Sequence, residues 1–92
     1  MTVLINSVSA DAESAEITAI GNIIIAVLGT MTRGQVKLVG NIGSGEVTLW
    51  RCIPTTERKM RGFGMKAGMT FKVYVTGVAS IDNVTVEYIN VD

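Results

Sequence analysis

The sequence predicts an all-β protein: a single antiparallel β-sandwich or jelly-roll-like domain of about seven strands over residues 1–92. Three observations lead there. Isoleucine, valine and threonine supply 32 of the 92 residues against four leucines, and β-branched side chains suit a pleated sheet while losing rotamer freedom in a helix. Turn signals recur at the spacing of a sandwich or barrel. Residues 70–76 alternate strictly, with Phe71, Val73 and Val75 on one face and Lys72, Tyr74 and Thr76 on the other.

Taken in order, Val3 to Val8 reads as an edge strand, followed by a polar, acidic turn from Ala10 to Ser14. Strands at Glu16 to Ile20 and Ile23 to Gly29 flank Gly21-Asn22, a connection of the Gly-X kind that favours a type II′ hairpin. Thr30 to Gly34 is a loop. Gln35 to Gly40 and Glu46 to Ile53 are paired across Asn41 to Gly45, whose glycines supply positive φ. Pro54 has no N–H to give a ladder, so the second of these strands ends there. The stretch Pro54 to Gly68 shows no clear periodicity and is read as an exposed basic loop. Thr70 to Thr76 and a strand through Val84, Val86 and Tyr88 complete the set. Surface scaling gives such a chain roughly 5,200 Å² of exposed surface.

Composition limits function. Hydrophobic residues make 48% and charged residues 17%, with no net charge; this excludes disorder and a nucleic-acid binder that relies on bulk positive charge, and it favours self-association. The absence of histidine removes the usual neutral-pH proton shuttle and the commonest metal ligand. Cys52 is the only cysteine, read as a small hydrophobe on its strand. The amino terminus shows no signal-peptide pattern, and the longest apolar run, Ile23 to Leu28, is far short of the roughly 20 residues of a membrane helix. Neither a membrane nor a nucleic acid is an expected partner, and synthesis in the cytoplasm is expected.

Short motifs resolve into structural readings. Arg61-Gly62-Phe63-Gly64 opens like an RNA-recognition signature, but Met65 stands where a stacking aromatic belongs and Gly68 interrupts the strand. Gly62 to Gly68 resembles a dinucleotide loop with its third glycine one residue late and no helix to follow. Asp11, Glu13 and Glu16 could chelate calcium but impose no coordination geometry, and read as a solvated acidic segment. No catalytic residues, cofactor or metal site emerge, so no enzymatic activity is expected.

Charge is segmented. Residues 1–32 hold Asp11, Glu13 and Glu16 without a basic side chain; residues 33–72 hold all eight basic residues against Glu46 and Glu57; residues 73–92 hold Asp82, Glu87 and Asp92. The pattern suits head-to-tail packing of copies, or docking of the basic loop Arg58, Lys59, Arg61 and Lys66 onto an acidic protein surface, or else the sheet topology interleaves the segments and cancels the field.

From Gly34 onward, Gly34 to Gly40, a short loop, a strand ending at Trp50, then Lys66 to Gly77 and Val84-Thr85-Val86 resemble the small β-sandwich virion proteins of tailed bacteriophages. These are the capsid decoration (cement) proteins and the head-fibre or tail-fibre modules. The resemblance implies a structural protein on the capsid surface, commonly a homotrimer, with the major capsid protein as partner. The alternative is a fibre or carbohydrate-binding module using Trp50, Phe63 or Tyr74 as a stacking platform.

Overall fold

The computed structural model describes residues 2–53 and 59–91. Nine strands form within them: β1 (Thr2–Val8), β2 (Ala12–Glu13), β3 (Ile17–Thr18), β4 (Asn22–Thr30), β5 (Gln35–Asn41), β6 (Glu46–Cys52), β7 (Lys59–Phe63), β8 (Thr70–Thr76) and β9 (Asn83–Val91). They make two antiparallel sheets packed face to face, one in the order β1-β9-β4-β7 and the other β2-β8-β5-β6 with β3 also on β8.

The count exceeds seven partly because one edge strand is split. β2 pairs with Val75 and Tyr74 of β8, and β3 with Phe71 and Thr70 of the same strand. Between them the Ser14 N–H donates to the Val73 carbonyl (2.9 Å), and the Ser14 hydroxyl oxygen accepts from the Val73 N–H (2.9 Å). Counted as one interrupted strand, β2/β3 leaves eight, joined first to last and inward: β1 with β9, β2/β3 with β8, β4 with β7, β5 with β6. This is the connectivity of a jelly roll.

That winding corrects three local expectations. Ala10 to Ser14 is not simply a turn, because Ala12–Glu13 joins the sheet. Its acids find partners there: Glu13 lies 2.9 Å from the Lys72 ammonium, and Asp11 accepts the Gly77 N–H at 2.8 Å. Gly21-Asn22 is not a hairpin either. Ala19 is tied to the second sheet by its N–H to Met69 (2.7 Å) and its carbonyl from Gly68 (3.0 Å), whereas β4 enters the first sheet and pairs along its whole length with β9. Nine residues of ladder outweigh one favourable turn. Lastly, residues 59–63 of the expected loop are a strand, pairing Phe63 with Ile23 and Lys59 with Val27.

Elsewhere the pattern and the fold agree. β8 spans Thr70–Thr76 and buries Phe71, Val73 and Val75. The β5–β6 hairpin turns through Gly43 (φ 108°) and Gly45 (φ 114°), with the Gly43 N–H donated to the Asn41 side chain at 2.7 Å. Between the sheets lie Ile5, Ile23, Ile25, Val27, Val84 and Val86 from one side and Val36, Leu38, Cys52, Phe71, Val73 and Val75 from the other. Phe71 meets Tyr88 edge-on at 5.4 Å, and Trp50 leans on Phe63 at 5.8 Å, joining β6 to β7 across one open side of the sandwich. The exposed surface is 5110 Å², matching the scaling expectation.

Candidate functional site: interaction surfaces

Side chains alternate across a strand, so each sheet has an outer face, and the two differ sharply. Outside β5 and β8, Lys37 and Lys72 flank the Tyr74 ring at 5.4 and 5.1 Å, and the Tyr74 hydroxyl donates to Glu46 at 3.0 Å. The hydrogen bond to Glu46 raises the Tyr74 pKa, and the one to Glu13 raises that of Lys72. Arg51 sits opposite Lys37 on the same face. This side is a polar network of opposite charges.

The outer face of the other sheet is apolar. The pairing sets Ile24, Ala26 and Leu28 of β4 in register with Ile89, Glu87 and Thr85 of β9, and sets Ile24 and Ala26 against Gly62 and Met60 of β7. Met60 is 56% exposed and Ile89 44%. Val91 continues the patch, and Val3 lies beside Glu87 on β1. A groove of about 360 Å³ opens at one end of it, lined by Asn22, Ile24, Gly62, Phe63, Gly64 and Val91.

The basic candidates divide. Lys59 and Arg61 stand opposite Val27 and Ile25 on the inward side of β7, at the sheet's edge; both residues are exposed, and the Arg61 guanidinium lies 5.7 Å from the Phe63 ring. Lys66 is apart from them, in a turn closed by the Met69 N–H to the Lys66 carbonyl (3.1 Å). It lines an open end cleft of about 750 Å³ with Glu16, Asn41, Ile42 and Thr70. Arg58 lies outside the described residues. The segments of opposite charge meet at the Glu13–Lys72 pair, so the topology interleaves them there.

The remaining candidates have structural places. Burial raises the Cys52 thiol pKa, opposed by the nearby Lys59 charge, which leaves a protonated side chain rather than a nucleophile. Phe63 belongs to an edge strand and packs on Trp50, unlike the central stacking aromatics of an RNA-recognition sheet. Asp82, which the sequence showed only as one acid of the last segment, is a buried clamp. It accepts from the Thr32 N–H (2.9 Å), the Thr32 hydroxyl (2.8 Å) and the Ala79 N–H (2.8 Å). The apolar outer face escaped sequence reading altogether. Comparison with protein-family models, curated proteins and solved structures finds no match for this chain.

Proposed function

We propose that this chain is a structural virion protein of the capsid-decoration kind, a self-associating jelly roll that seats on the major capsid protein and stabilises the head shell by bridging capsomers. The observation that carries the reading is the opposed character of the two outer faces. A free monomer has no reason to keep Met60 and Ile89 in water on one side while collecting Lys37, Lys72, Tyr74, Glu13 and Glu46 on the other. An assembly subunit does, since it buries one face and shows the other. Jelly rolls build many capsid and lectin domains, and the surface chemistry favours the first use: Trp50 and Phe63 pack on each other and Tyr74 lies between two lysines, which leaves little aromatic surface for a sugar.

In this reading Lys59 and Arg61 form a basic rim for an acidic patch on the capsid, with Lys66 at a second contact. Charge reversal at exposed edge positions costs the fold little, so Lys59→Glu with Arg61→Glu keeps the circular dichroism spectrum. On particles stripped of the protein and then resupplied, the double variant reaches lower occupancy than wild type. Equal occupancy at physiological salt would remove the rim from the docking surface.

A further inference from the structure

We infer that the apolar outer face of the β1-β9-β4-β7 sheet is a two-fold contact with a second copy of this chain. The inference rests on the self-associating reading above and names its geometry. A two-fold interface places one patch against itself, so the patch must carry both the projection and the recess that receives it. This face does. Met60 and Ile89 project from it, 56% and 44% exposed, and the groove lined by Ile24, Gly62, Gly64 and Val91 opens beside them. Gly62 contributes no side chain to fill the groove, and a Cβ built there would meet nothing closer than the Ile23 carbonyl oxygen at 3.9 Å.

Size and charge fit a second copy. The molecule measures 37 by 26 Å across its two longer axes, so one sheet face offers the roughly 800 Å² per partner of a standard interface. Among the paired positions on the outer side of β4, β7 and β9, Glu87 is the sole charged side chain; it stands between Val3 and Ala26, next to Ile89 along β9. Two such faces would stack about 10 Å apart with strands about 30° from alignment, repeating the packing inside each sandwich.

The test is native mass by light scattering and sedimentation equilibrium over a dilution series of the purified chain. Wild type is expected at twice the monomer mass. Ile89→Asp and Gly62→Glu each set a carboxylate into the contact and are expected to weaken association about a hundredfold, while Lys37→Glu on the opposite face leaves it unchanged. Gly62→Glu guards against the loss of fold that Ile89→Asp could cause, since a Cβ at Gly62 meets its nearest neighbours only at ordinary van der Waals distance. A monomer at about 100 μM, or variants that dimerise like wild type, would overturn the inference. A trimer would also overturn it, yet would leave the proposed function standing; capsid occupancy of the Lys59→Glu, Arg61→Glu protein tests that function separately.

Discussion

Asp82 holds two loops with one carboxylate. Burial by itself would raise its pKa, but hydrogen bonds from the Ala79 backbone, the Thr32 side chain and the Thr32 and Arg33 backbone prevail and lower it. A carboxyl whose folded pKa is depressed contributes stability that is complete above its unfolded value, about 3.9, and is lost as pH falls through the folded value. Asp82→Asn keeps the shape but carries no charge for these donors. The variant should therefore melt below wild type at pH 7, with the gap closing as pH falls below about 4. Melting curves from pH 7 to 2.5 provide the check, and a constant gap would mean that the charge does not matter. Gly34 is as constrained: it sits at φ 83°, and a Cβ there would lie 2.6 Å from the Gly77 carbonyl carbon.

Sheet edges explain which elements were legible in the sequence. β5, β8 and β9 have two bonded neighbours each, so one face is committed to the core and alternation shows it. β2 and β3 are two residues each and exist because β8 has an edge to pair with and Ser14 bridges the gap. β7 hid because Lys59 and Arg61 take its inward positions, which erases the hydrophobic period. Inward charge on an edge strand is a known guard against edge-to-edge pairing. Lys59→Val with Arg61→Val restores the alternation, and light scattering at 37 °C should show faster aggregation than wild type; equal rates would mean that these charges do not guard the edge. The apolar outer face was hidden for the opposite reason. Ile23 to Leu28 is apolar at every position, as in a strand buried on both sides, and nothing in such a run tells the core face of Ile23, Ile25 and Val27 from the outer face of Ile24, Ala26 and Leu28.

At the scale of the whole molecule, both sheets share one cluster of buried side chains, from Ile5 to Val86. The basic residues were found from sequence because charge is local information, whereas their separation into a β7 rim and a Lys66 turn depends on winding. A shared core predicts one cooperative transition. Trp50, the only tryptophan, bridges β6 and β7 of opposite sheets through Phe63, so its fluorescence reports closure of the sandwich while circular dichroism reports the strands. In urea the two signals should change together for wild type, and separate midpoints would show one sheet outlasting the other.

The pairing of β1 with β9 also bears on how the chain is made. β1 waits for β9, which comes eight strands later in the chain, and β4 in the same sheet waits for the same partner. At ribosomal rates of about 5–20 residues per second, the sheet lacks β9, one of its two central strands, for roughly 3–12 s after β4 is made. During that time Ile23 to Leu28 has left the ribosome without its long ladder. The nascent chain thus passes through an interval in which its stickiest segment can meet another polysome's copy before it meets its own β9.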